Sequence, residues 1–204
     1  MRRAYSPSEI LKMKKKKFAF TGEWLAAFGQ PEMSGVWFIW GNSGNGKTSF
    51  VMQLCRELAR FGKVAYNSME EGVSDTVKQN IARFSMDEFD GKIQFLDCES
   101  MDDLTKRLAR RRSPDFVIID SFQHSQLTYN KYLKFKRDNK DKLIVFVSHA
   151  EGANPSTRPA KSVMYDATMK IWVEGYRAFS KGRYIGEVGY FDAWKKGAME
   201  YWGE

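Results

Sequence analysis

Apolar residues in this chain gather in short runs that end on polar or acidic residues, and between the runs they recur at helical spacing. Trp37-Phe38-Ile39-Trp40, Val64-Ala65-Tyr66-Asn67, Ile93-Gln94-Phe95-Leu96, Phe116-Val117-Ile118-Ile119, Leu143-Ile144-Val145-Phe146-Val147 and Thr168-Met169-Lys170-Ile171-Trp172-Val173 read as strands. Phe50, Val51, Leu54, Cys55, Leu58 and Phe61 mark a helix that Gly62 stops, and Val77, Ile81 and Phe84 mark another. Ser100 caps a helix carrying Leu104 and Leu108, residues 129–137 form one more, and Ser6-Pro7-Ser8-Glu9 starts a short one near the N-terminus. Residues 152–162 are polar, carry Pro155 and Pro159, and read as a long exposed loop. Residues 190–194 and 198–202, joined through Lys195-Lys196-Gly197, read as an antiparallel hairpin. Strands alternating with helices define an α/β chain.

The first apolar run breaks into Gly41-Asn42-Ser43-Gly44-Asn45-Gly46-Lys47-Thr48, the Walker A pattern G-x-x-x-x-G-K-T, with the strand before it and the helix after it that the pattern requires. Its glycines let successive N–H groups converge on phosphate oxygens, and the helix that follows aims its N-terminal dipole at them. Lys47 is placed to reach the β- and γ-phosphates of ATP, and the Thr48 hydroxyl to hold Mg²⁺. Asp120 closes the fourth run, the Walker B pattern, and is delivered to the same ion. Glu70 and Glu71 follow the second run, at a strand's carboxyl end, where one of them can polarise the attacking water; alone, either would be an ordinary loop acid. Ser148 and His149 close the fifth run, where His149 can sense the γ-phosphate, although a lone histidine is more often structural.

Length and charge add a partner class. The 204 residues, 43% of them hydrophobic, suit one domain at 21–204 behind a basic arm at 1–20 that carries Arg2, Arg3, Lys12, Lys14, Lys15, Lys16 and Lys17. A formal charge of +8 favours polyanions, and the arm either follows a phosphate backbone or is a solvated charge run. Arg110-Arg111-Arg112, at a helix end, suits the helix dipole better than a dedicated nucleic-acid contact. Cys55 and Cys98 show neither metal-ligand spacing nor a disulfide framework. No apolar run approaches the roughly 20 residues of a membrane span, so the expectation is a cytoplasmic protein with no membrane partner.

The order Walker A, strand ending in glutamate, Walker B, polar-ended strand, basic loop and terminal hairpin resembles the RecA-like P-loop ATPase core, over residues 29–202. The resemblance implies a mainly parallel central sheet flanked by helices, and an ATPase using ATP and Mg²⁺. Tyr66-Asn67-Ser68-Met69-Glu70-Glu71 is similar to the segment that supplies the catalytic glutamate in RadA and KaiC-type members, which maps that role to Glu70, with Glu71 second. Residues 152–157, followed by Tyr165-Asp166-Ala167, resemble the second DNA-binding loop of RecA recombinases and the strand after it. Lys181-Gly182-Arg183-Tyr184 resembles the K-x-R element of RadA proteins and DnaB-type helicases, which implies that Lys181 and Arg183 reach a neighbouring subunit's γ-phosphate; Ile185, between Tyr184 and Gly186, departs from that pattern. The implied protein is a homo-oligomeric DNA-dependent motor or recombinase-like ATPase of recombination, repair or replication. The alternatives are a KaiC-like regulatory ATPase acting on a protein partner and a P-loop kinase.

Overall fold

A computed structural model describes residues 3–204, so Arg2 of the basic arm lies outside the described residues. Six strands run parallel: β1 (Gly35–Gly41), β2 (Val64–Ser68), β3 (Ile93–Asp97), β4 (Phe116–Asp120), β5 (Leu143–Glu151) and β7 (Met169–Glu174). They lie in the order β3-β2-β4-β5-β1-β7, and β8 (Arg177–Ser180) and β9 (Tyr190–Asp192) continue the sheet antiparallel. The two-residue β6 (Asn154–Pro155) pairs only with the end of β5.

β1 shows why its residues are apolar throughout. Trp37 and Ile39 enter a core with α3 (Lys47–Ala59), which buries Phe50, Val51, Leu54, Cys55 and Leu58. Val36, Phe38 and Trp40 enter a second core, on the other face, with α5 (Met101–Leu108), α6 (Tyr129–Asp138) and α7 (Arg158–Asp166). A parallel strand covered on both faces cannot alternate with polar residues. α4 (Asp75–Arg83) and α5 start at Ser74 and Ser100, whose hydroxyls accept the N–H groups of Val77 and Asp103.

The basic arm ends inside the molecule. Its short helix α1 (Pro7–Lys12) buries no residue, yet Phe18 and Phe20 are 0% and 2% exposed, their rings stacked at 4.9 Å. Phe18 also meets Trp37 edge-on at 5.7 Å. α2 (Gly22–Phe28), which no apolar run announces, turns Trp24 onto Phe191 with ring centroids 4.4 Å apart.

Two expectations are corrected. The antiparallel hairpin is present, but β7, β8 and β9 build it, and residues 195–202 form the helix α8 (Lys195–Trp202). Lys195-Lys196-Gly197 is its first turn: Gly197 lies against the Trp194 indole, where a Cβ would stand 2.2 Å from Cε3, and the Ala198 N–H reaches the Trp194 carbonyl at 2.9 Å. Residues 152–162 are not a long loop either. Thr157 caps α7 by accepting the Ala160 N–H, Pro159 takes a first-turn position, and Ala160, Val163 and Met164 are buried at helical spacing. Tyr165 and Asp166 consequently end this helix, and the strand begins only at Met169.

Candidate nucleotide site

The cleft lies at the carboxyl ends of the parallel strands, a cavity of about 380 Å³ between the phosphate loop, the β2–α4 segment and the ends of β4 and β5. Gly44 and Gly46 hold φ of +77° and +89°, backbone that side chains rarely adopt, so the loop's glycines are required by its shape. Gly41 is required by packing, because a Cβ there would stand 2.1 Å from the Val173 carbonyl oxygen. Lys47 opens α3, and its ammonium donates to the Asn42 carbonyl at 2.9 Å across the loop. Burial lowers the Lys47 pKa, and the charges of Asp120 and Glu70 oppose that shift. Ser43 and Thr48 line the same cavity.

A second turn braces the loop from outside. The Gly175 N–H donates to Asn45 Oδ1 at 2.9 Å, and the Tyr176 N–H to the Asn45 carbonyl at 3.1 Å. The Tyr176 ring closes over Gly46, where a Cβ would meet Cδ1 at 3.0 Å.

Facing the loop, Asp120 ends β4 and accepts a hydrogen bond from the Tyr66 hydroxyl. Burial raises the Asp120 pKa; the Tyr66 hydroxyl pulls it back, and the Glu70 charge raises it further. The Tyr66 phenol is itself held well above its ordinary range by burial beside that carboxylate. Glu70 Oε2 meets His149 Nε2 at 2.9 Å and lies 3.9 Å from His124 Nδ1, so both histidines of the chain converge on this carboxylate. Glu71 also lines the cleft but takes the Thr76 hydroxyl. His124 Nδ1 is in turn 2.8 Å from Ser121 Oγ.

Gln123 ties the site to the turn after β5. Its amide donates to Ser148 Oγ at 2.9 Å and Ser156 Oγ at 2.8 Å, and its carbonyl accepts the His149 N–H at 3.3 Å. The same turn is held from the phosphate loop, with Asn42 Nδ2 donating to the Gly152 carbonyl at 3.3 Å and Trp40 Nε1 to that of Ala153 at 3.0 Å.

The cleft therefore gathers Gly44, Gly46, Lys47, Thr48, Glu70, Asp120 and His149. It does not include Lys181 or Arg183. The Lys181 N–H bonds the Lys170 carbonyl at 2.7 Å and the Arg183 N–H that of Thr168 at 3.4 Å, near the start of β7 and away from the loop. The Lys181 ammonium lies 5.4 Å from the Trp172 ring centroid. The sequence reading missed Tyr66, Gln123, His124 and Tyr176. The scarcity of histidine was the available signal for His124; a tyrosine inside an apolar run and one after a glycine carry none.

Among solved structures, the chain is similar to a KaiC-like protein from Pyrococcus horikoshii OT3, with TM-score 0.64 and 17% identity over 87% of this chain and 97% of that one. It is similar to the flagellar accessory protein FlaH from Methanocaldococcus jannaschii, with TM-score 0.61 and 17% identity over 86% and 90%. The fold is RecA-like. A third solved structure, an isolated ATPase domain, matches it too, with TM-score 0.55 and 14% identity over 81% and 84%. No protein-family model and no curated protein matches the sequence. The RecA-like fold accounts for the central position of β1 and for the phosphate loop at its carboxyl end. Among the described residues, no helix is long and apolar enough to cross a membrane.

Proposed function

We propose that this chain is a Mg²⁺-dependent ATPase of RecA type, acting as a homo-oligomer on DNA in recombination, repair or replication. The observation that carries the hydrolytic part is the Glu70 carboxylate, held by His149 Nε2 at 2.9 Å in the cleft that Lys47 and Asp120 also line. The donor set suits magnesium: the Thr48 hydroxyl and the Asp120 carboxylate are hard oxygen ligands, and Mg²⁺ binds through one or two carboxylates plus substrate phosphates. When bound, the ion would offset charge on the phosphate oxygens.

This chain's residues divide the remaining work. Loop amides and Lys47 hold the phosphates, while the burial that lowers the Lys47 pKa also strengthens its attraction to them. Glu70 orients a water against the γ-phosphate and takes its proton, and His149 fixes the carboxylate's direction. The Gln123 bonds join His149 to the turn after β5, a route by which a bound partner would bias the site. A KaiC-like regulatory ATPase with a protein partner is the second reading, favoured by the turn itself, since residues 152–157 carry no charged side chain and Glu151 precedes them.

Fluorescent-ATP binding and phosphate release test the assignment together. Lys47→Ala should abolish binding, whereas Glu70→Gln should keep binding and stop turnover, because an amide preserves shape without accepting a proton. Equal loss of binding in both variants would refute the role of Glu70, and arrest by Glu71→Gln alone would transfer it to Glu71.

A further inference from the structure

Most of the positive charge of the chain lies away from the nucleotide cleft. Lys47 and Arg83 line that cavity against Glu70, Glu71 and Asp120, and the same ends of the strands carry Asp97, Glu151 and Glu174. The cations collect at the opposite edge, where the strands begin. Lys92, Lys63 and Lys142 each stand one residue before β3, β2 and β5. Backbone bonds join them into one row: Val64 N–H to the Lys92 carbonyl at 2.8 Å, Asp115 N–H to that of Lys63 at 2.9 Å, Leu143 N–H to that of Asp115 at 3.2 Å, and Gly35 N–H to that of Lys142 at 3.0 Å. Lys63, Lys92 and Arg112 share one shallow hollow, and Lys136, Arg137 and Lys140 share another. Arg183, bonded to the Thr168 carbonyl, extends the edge to β7. At about 4.8 Å per strand, the row from β3 to β7 runs roughly 24 Å.

Much of this charge is unengaged. Lys63, Lys92, Arg110, Arg111, Arg112 and Lys140 are exposed and form no ion pair among the described residues. Lys136 is held by Asp166 at 2.7 Å, and Lys142 donates to Ser113 Oγ and the Pro114 carbonyl. The acids along the edge include Asp90, Asp115, Asp138, Asp141 and Asp166; Asp115 already accepts the Lys63 N–H at 2.9 Å, and Asp138 lies 3.9 Å from Arg137 Nε. The helix dipole accounts for Lys106 and Arg107 in the last turn of α5. It does not account for three arginines beyond that helix, or for lysines ahead of β2 and β3.

We propose that this N-terminal edge of the sheet is the surface that holds a nucleic-acid phosphate backbone. The inference rests on the polyanion part of the proposed function and moves the contact from the turn after β5 to the far side of the sheet. Guanidinium and ammonium groups in a row, six of them exposed and without an ion-pair partner among the described residues, offer repeated phosphate contacts. In the two hollows, Leu133 is the one exposed large hydrophobic residue beside the cations, so the edge presents charge with little apolar surface to insert into lipid.

The test is fluorescence anisotropy of a labelled single-stranded oligonucleotide with the full chain, over a salt series. Neutralising Lys63, Lys92, Arg110 and Arg112 together to Gln should weaken binding at least tenfold and flatten the log–log salt slope by about 3, at roughly 0.7 per lost contact. Arg158→Gln/Lys161→Gln, in the first turn of α7 just beyond the turn after β5, should leave affinity within about threefold. Fluorescent-ATP binding should persist in both, since none of these residues lines the cleft. Should the four-site variant misfold, Lys63→Gln/Lys92→Gln compared with Lys63→Arg/Lys92→Arg gives the same contrast, binding being retained only where charge is kept. Loss of binding confined to the Arg158/Lys161 variant would overturn the location and leave the polyanion reading standing. Failure of the unaltered protein to bind DNA or RNA at low salt would overturn both, and edge-dependent binding to phosphatidylserine vesicles in its place would assign the edge to a membrane surface.

Discussion

Tyr66→Phe removes one oxygen atom from the floor of the cleft and should change how the site responds to acid. The phenol donates to the Asp120 carboxylate, whose pKa burial already raises and which that hydrogen bond pulls back down. A hydrogen bond to a charged group is worth about 1.5–3 kcal/mol, so its loss lowers the ionised fraction of Asp120 on the acid side about 10- to 100-fold. The sign follows from the state that holds the metal. Mg²⁺ needs the carboxylate, so metal-nucleotide affinity is full above the raised Asp120 pKa and falls as pH drops through it; in Tyr66→Phe that fall begins nearer neutrality. Titration of fluorescent ATP with and without Mg²⁺ across acidic to neutral pH measures the limb directly, and thermal melting checks that the variant stays folded. The metal-independent part of binding should keep its pH profile. An acid limb that stays in place, or moves to lower pH, would refute the account of Asp120.

Two further outcomes address the assembly and the arm. Arg183→Ala subunits mixed with Lys47→Ala subunits should regain ATPase activity if Arg183 acts across an interface, since it does not line its own cleft; mixtures no more active than either parent, despite verified co-assembly, would count against it. Phe18→Ala should lower stability by about 3–5 kcal/mol in denaturant melts, because the ring is fully buried against Phe20 and Trp37; a change below about 1 kcal/mol would show that the arm is dispensable to the core.

The parallel sheet was legible because burial on both faces forces uninterrupted apolar runs, and the phosphate loop because its glycines and lysine are required at fixed spacing. The places of Asp120 and His149 in the cleft were legible from position, as polar residues ending such runs, whereas position left Glu70 and Glu71 open and only the resemblance to RadA and KaiC-type members favoured Glu70. α7 and α8 were not, because each mixes apolar with small and polar residues in windows too short to separate periods of two and nearly four. Gly197 reads as a turn in sequence, yet its role is to sit flush against Trp194. Tyr66 and Tyr176 gained their places from contacts distant in sequence. Tyr66 reaches Asp120 from a neighbouring strand, and Tyr176 reaches the phosphate loop from beyond β7.

That last contact bears on the order in which the molecule is completed. Asn45 takes its two outside hydrogen bonds from Gly175 and Tyr176, about 130 residues further along the chain. During synthesis the loop's own glycines, lysine and helix leave the ribosome early, but the turn that presses on Gly46 emerges only after all six parallel strands have been made. Closing so long a stretch of chain is slow relative to local helix formation. A growing chain thus carries the whole Walker A pattern for most of its translation without the outside bonds that brace it, and those bonds form only once the turn between β7 and β8 has been made.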